Sequence, residues 1–98
     1  MTLERALQTL RKAEAELRAK GIMHAGVFGS TARGEQRADS DIDIIVDFDP
    51  SVPITIYDYA GIRDDIAELF EQPVDVVDRR GLKPHLQKPV TRDLVYAF

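Results

Sequence analysis

Cysteine is absent from this 98-residue chain, so it can form no disulfide and no thiolate zinc site. That absence agrees with a reducing compartment. No apolar run approaches the roughly 20 residues that a membrane-spanning helix needs, and the amino terminus lacks the apolar stretch of a secretory signal. We therefore expect a cytoplasmic protein with no membrane contact. Internal repeats and low-complexity segments are also missing.

Positive charge is in the minority. Thirteen Lys and Arg stand against seventeen Asp and Glu, which gives a formal net charge of −4. A protein with this balance is repelled by nucleic-acid phosphates, so we expect no direct nucleic-acid binding. The charge favours a small charged substrate carried with its own cation, or a protein partner. The length predicts a single domain over residues 1–98 with one hydrophobic core.

Residues 26–34 (GVFGSTARG) form the stretch around which the chain is organised. Apolar residues of a predicted strand lead into Gly29 and Ser30, and a short helix is predicted over about residues 31–37. Free N–H groups at a helix start attract anions, and a glycine has no side chain to block a phosphate oxygen. Ser30 can add a hydroxyl donor. The pattern predicts a phosphate-binding turn.

Residues 40–46 (SDIDIIV) carry two carboxylates, Asp41 and Asp43, where a predicted strand begins. Strand side chains alternate, so both acids project from one face. Two negative charges held this close repel each other, and a divalent cation relieves the repulsion. Mg²⁺ typically takes one or two protein carboxylates together with substrate phosphates and water. Ser40 can bond the local backbone and so fix the neighbouring carboxylate.

Hydrophobic spacing predicts the remaining helices and strands. One helix is predicted over residues 2–20 with Thr2 as its cap, and a second begins at Thr55 with Asp58 as capping-box partner. Pro89 suits the first turn of a C-terminal helix. The predicted strands are residues 22–28, 42–48 and 74–78. Together these elements predict an α/β fold in which a small mixed sheet carries helices mainly on one face.

Three polar residues have more than one interpretation. Asp75 interrupts an apolar strand, so it either faces solvent on an edge strand or completes a carboxylate triad with the first pair. Arg33 can reach a phosphate or pair with Asp39 or Asp41, because a planar guanidinium serves both purposes. Asp47 shares the face of the first two acids, but we expect an exposed acid at a strand end.

The Gly29-Ser30 pair, a ten-residue spacer and Asp41-Ile42-Asp43 resemble the nucleotidyltransferase superfamily related to DNA polymerase β. The fuller text of residues 29–34 and 40–43 resembles the minimal nucleotidyltransferases, short proteins commonly paired with a HEPN-domain partner in prokaryotic toxin–antitoxin systems. The resemblance implies a polymerase-β-like fold. It also implies a third carboxylate on a later strand, and the match falls on Asp75.

The resemblance further implies Mg²⁺-dependent transfer of AMP from ATP to a hydroxyl, with tyrosine of a HEPN toxin as the acceptor and a hetero-oligomer as the assembly. Two Mg²⁺ ions would be held by three catalytic carboxylates, which are Asp41, Asp43 and Asp75. The nucleotide would be bound by Gly29, Ser30, Arg33 and Ser40. Two alternatives remain open: a non-catalytic antitoxin that masks its partner, and a stand-alone nucleotidyltransferase acting on a small molecule or antibiotic.

Overall fold

The computed structural model describes residues 2–35 and 41–98. The elements in chain order are α1 (Leu3–Lys12), α2 (Glu14–Ala19), β1 (Ile22–Phe28), α3 (Gly29–Arg33), β2 (Ile42–Phe48), α4 (Ile56–Glu68), β3 (Val74–Asp78), a 3₁₀ turn (Arg79–Gly81), α5 (Pro84–Asp93) and β4 (Val95–Tyr96). The three predicted strands are confirmed. None of the helices in these two ranges has the length and apolar character needed to cross a membrane.

The amino-terminal helix is two helices rather than the single one predicted. The chain breaks at Ala13, whose backbone angles of φ −96° and ψ 6° leave the helical region. The Ala13 N–H bonds to the Leu10 carbonyl three residues back, at 3.1 Å, so the chain tightens for one turn there. Both halves keep their apolar side chains in the core, as Leu10 and Leu17 show. Thr2 caps α1 as predicted.

The four strands form one mixed sheet in the order β3-β2-β1-β4. β1 runs antiparallel to β2 and to β4, whereas β2 and β3 are parallel. β4 was not predicted, because two residues are too few to show the alternation that marks a strand. The central strand β2 is buried on both faces, since Ile44 and the oppositely directed Ile45 are both buried.

Helices α1, α2 and α4 cover one face of the sheet and form the core with it. The chain after α5 covers part of the other face, where the Leu94 side chain packs over Gly26. α5 begins at Pro84, where a missing N–H costs nothing, and Pro89 lies inside it rather than at its start. α3 starts two residues earlier than predicted and ends at Arg33, because Gly34 takes a left-handed conformation with φ 74°.

The predicted capping box of α4 is present. The Asp58 N–H donates to Thr55 Oγ1 at 3.1 Å, and the Thr55 N–H donates to Asp58 Oδ2 at 3.0 Å. We expect Thr55→Ala to lower the free energy of unfolding by about 1 kcal/mol, because one helix-start N–H loses its partner. Urea unfolding measures this, with Thr91→Ala in α5 as the control. Equal stability of the two variants would contradict a stabilising role for the box.

Candidate active site

The turn between β1 and α3 lies directly against a carboxylate. Gly29 has φ +70°, and a Cβ atom added to it would collide with Asp43, meeting Oδ2 first. The register explains this contact, because Phe28 pairs with Asp43 and the next residue must lie beside it. Only a residue without a side chain allows the approach. The two motifs found in the sequence therefore meet in the structure.

A second carboxylate lies on the neighbouring strand. Asp43 of β2 stands opposite Asp75 of β3 in the parallel register. Neighbouring strands lie about 4.8 Å apart, so the two acids are adjacent on one face of the sheet. β3 is an edge strand, and Asp75 is exposed at that open edge. Asp41 is exposed just before β2, two residues from Asp43.

The neighbouring acids perturb the pKa of Asp43. Burial raises the pKa of Asp43, and repulsion from Asp75 and then from Asp41 raises it further, while the positive charge of Arg33 lowers it. By contrast, hydrogen bonds from Thr55 lower the pKa of Asp58, an exposed acid far along the chain. A half-buried carboxylate with two like charges beside it marks a place where a cation is stabilising.

A model of the nucleotidyltransferase domain matches residues 9–97. This chain belongs to that family. A protein adenylyltransferase named MntA, from Thermococcus cleftensis, is 37% identical over 97 residues, which cover 98% of this chain and 96% of the relative. A Methanocaldococcus jannaschii protein assigned as a protein adenylyltransferase is 33% identical over 97 residues, with 97% of each chain covered.

Solved structures agree with the family assignment. One assigned as a minimal nucleotidyltransferase is 40% identical, has a TM-score of 0.75 and covers 97% of this chain and 95% of its own. The complex of an AMPylated Shewanella oneidensis HEPN toxin with its MNT antitoxin contains a chain that is 20% identical, with a TM-score of 0.65 and coverage of 94% and 71%. At that identity the likeness concerns the fold. The predicted family and fold class are confirmed.

Members of the nucleotidyltransferase family use a nucleoside triphosphate and a divalent metal ion. Within residues 2–35 and 41–98, no three carboxylate or imidazole side chains form a metal site by themselves. The cluster of Asp41, Asp43 and Asp75 nevertheless offers hard oxygen ligands with uncompensated negative charge. Such ligands fit a cation that takes one or two carboxylates and completes its shell with phosphate and water.

Two described acids that the sequence did not indicate hold Arg33, the basic residue of this nucleotidyltransferase's turn. Arg33 Nη1 donates to Asp93 Oδ2 at 2.8 Å and Arg33 Nε donates to Glu35 Oε2 at 3.0 Å. The structure therefore does not support the alternative in which Arg33 pairs with Asp41, and Asp39 lies outside the described residues. The partner comes from α5, which packs beside α3, and no spacing in the sequence indicates that contact. A phosphate-binding role for Arg33 stays a prediction.

The described hydroxyl residues near the turn differ in burial. Ser30 is half-buried in the first turn of α3, where its proposed contact with phosphate stays a prediction. Ser40 lies outside the described residues. Thr31, the next residue of α3, is 1% exposed, and its Oγ1 is unpaired within the described part of the chain. Nothing in the local sequence distinguishes Thr31 from an ordinary helix residue.

Asp47 is not the exposed acid that we expected. Arg79 Nε donates to Asp47 Oδ1 at 2.7 Å, and the Tyr96 hydroxyl lies 3.4 Å from Asp47 Oδ2. Arg79 lies in the 3₁₀ turn after β3, and Tyr96 lies in β4. Their contacts with Asp47 therefore depend on the order of the strands. The ion pair with Arg79 neutralises Asp47, which shares the sheet face of Asp43 and lies four residues further along β2.

Proposed function

We propose that this nucleotidyltransferase is an antitoxin enzyme that transfers AMP from ATP to a tyrosine hydroxyl of a HEPN-domain toxin, with Mg²⁺ as cofactor. The observation that carries the proposal is the position of Asp43, in contact with Gly29 and in register with Asp75. The names of the relatives support the reaction, since one is a protein adenylyltransferase and a structural neighbour is an antitoxin bound to its AMPylated toxin.

The phosphate turn binds the β- and γ-phosphates in this proposal. Gly29 lets the phosphates approach the backbone, Ser30 donates a hydroxyl, and Arg33 adds positive charge at the end of α3. Ser40 orients the Asp41 carboxylate next to it. These groups place the α-phosphorus beside the acids of β2 and β3.

The carboxylates hold the metal and receive the proton. Two Mg²⁺ ions bound by Asp41, Asp43 and Asp75 would stabilise the entering and leaving oxygens of an in-line attack on the α-phosphorus. Asp75 accepts the phenolic proton as the tyrosine oxygen bonds to the α-phosphorus. The bond from that phosphorus to the β-phosphate oxygen breaks, and pyrophosphate leaves.

The acceptor arrives from outside the chain. Asp75 is exposed on an edge strand, so a hydroxyl on a second protein can reach it without displacing an element of this fold. The net charge of −4 disfavours a nucleic-acid acceptor.

Labelled ATP tests the proposal. We expect the chain, mixed with Mg²⁺ and a HEPN-domain toxin that it neutralises, to place one or more AMP groups on that toxin, as seen by mass spectrometry. Replacing the acceptor tyrosine with Phe should abolish the label, and so should Asp41→Ala, whereas Asp64→Ala on the exposed side of α4 should not.

The alternatives give different outcomes. No label, with neutralisation of the toxin undiminished in Asp41→Ala, would indicate masking by binding. Turnover of a small molecule in the absence of the partner would indicate a stand-alone nucleotidyltransferase.

A further inference from the structure

The guanidinium of Arg33 is held by two carboxylates of different origin. Glu35 follows two residues later in the chain, whereas Asp93 is the last residue of α5 and lies 60 positions away. The Asp93 side chain is 13% exposed and that of Glu35 is 65% exposed. Charges shielded from water interact more strongly, and the shielded Asp93 ties Arg33 to α5. Glu35 contributes more to the raised pKa of Arg33, but it lies two residues away and links the guanidinium to no other element.

Asp93 is an acid in a basic segment of the chain. Residues 79–98 contain five Lys and Arg but no other Asp or Glu. Its neighbour Arg92 lies 3.5 Å away with a 75% exposed side chain, while Arg33 makes the shorter contact at 2.8 Å. Asp93 therefore pairs more closely with Arg33 of α3 than with the neighbouring Arg92.

The contact links two elements beside the candidate site. α3 packs on β1, β2 and α5, and its first residue is Gly29. α5 is otherwise lightly anchored, because of its ten residues, all described, only Val90 is buried. The ion pair therefore fixes both the end of α3 and the end of α5.

We propose that Asp93 is a positioning residue that holds the Arg33 guanidinium at the phosphate turn, where it meets the phosphates of the nucleotide. This inference rests on the proposed function, because it requires a nucleotide at Gly29. Asp93 itself touches no substrate. Without it, the partner that Arg33 keeps within residues 2–35 and 41–98 is Glu35, an exposed local acid that does not tie the guanidinium to another element.

Binding of a non-hydrolysable ATP analogue with Mg²⁺, measured by calorimetry, tests the proposal without catalysis. We expect Asp93→Asn to weaken binding about tenfold, the loss of one well-placed charged contact, and Glu35→Gln to weaken it less than about twofold. Asp93→Glu, which keeps the charge, should bind within about threefold of the unsubstituted chain. In transfer assays Asp93→Asn should raise KM and leave kcat within about threefold.

A double-mutant cycle separates positioning from simple support of the fold. If Asp93 acts through Arg33, Asp93→Asn has no further effect on binding in an Arg33→Ala background. A further loss there, or equal losses from Glu35→Gln and Asp93→Asn, would overturn the proposal. Normal binding by Arg33→Ala would also overturn it, even if Asp93→Asn did not fold.

The outcomes distinguish this inference from the proposed function. If the unsubstituted chain binds no nucleotide, the proposed function fails and the role of Asp93 fails with it. If the unsubstituted chain binds and Asp93→Asn binds equally well, only the role of Asp93 is refuted.

Discussion

Asp43→Asn should lower the rate of AMP transfer by about a thousandfold or more and at the same time raise the thermal unfolding midpoint. The loss of rate follows from removing the central carboxylate, since losing one preorganised electrostatic group at a reacting centre costs about 10²–10³ in rate and this one also binds metal. The gain in stability follows from the position of Asp43, which is half-buried against Gly29 with Asp75 and Asp41 beside it.

The raised pKa of Asp43 sets the direction of the stability change. Burial first, and then the two neighbouring carboxylates, raise the pKa of Asp43 in the folded state. The folded state therefore holds its proton to a higher pH than the unfolded chain, whose aspartates titrate near about 3.9. The contribution of Asp43 to stability is therefore greatest below that value, falls as pH rises through the folded pKa, and is lost at neutral pH. The midpoint difference between Asp43→Asn and the unsubstituted chain should shrink as the solution is acidified.

Scanning calorimetry at several pH values and a labelling assay measure the two effects. Asp64→Asn, an exposed acid of α4, is the matched control and should change neither. Mg²⁺ should raise the midpoint of the unsubstituted chain more than that of Asp43→Asn, because the variant has lost a ligand. Transfer by Asp43→Asn at close to the unsubstituted rate would exclude this carboxylate from the reaction.

Local patterns predicted the parts of the molecule that depend on neighbours in sequence. Alternating apolar residues and flanking turn residues set the bounds of β1, β2 and β3, and the capping box at Thr55 marks the start of α4. The meeting of Gly29 with Asp43 was also within reach, because a strand, a turn and an adjacent strand bring them together. The expectation of a bound cation came from chemistry, since a cation relieves the repulsion between clustered carboxylates.

Contacts between distant segments could not be predicted in this way. The pairing of Arg33 with Asp93 depends on how α5 packs against α3, and the pairing of Asp47 with Arg79 depends on β3 lying beside β2. Nothing in the sequence of α5 or β3 indicates which element it packs against. The break at Ala13 was not predicted either, because alanine favours a continuous helix. Its backbone angles in the folded structure reveal the interruption.

Gly29→Ala should combine backbone strain with a clash at the candidate site, and Gly34→Ala supplies the matched control. Both glycines have similar left-handed backbones, with φ 70° and φ 74°. An alanine strained in that region costs about 1–2 kcal/mol wherever it stands. A Cβ at position 34 meets nothing within 4 Å, whereas one at position 29 meets the Asp43 carboxylate.

The difference between the two variants therefore isolates the contact of the turn with the acid. We expect Gly29→Ala to lose about 1–3 kcal/mol more in free energy of unfolding than Gly34→Ala, the usual cost of overpacking. Transfer should fall about 100-fold or more in Gly29→Ala, because a misplaced reacting group can cost that much. In an Asp43→Ala background most of the extra destabilisation should disappear. Equal destabilisation of the two glycine variants would mean that Asp43 moves aside freely, and that the turn does not hold the carboxylate in place.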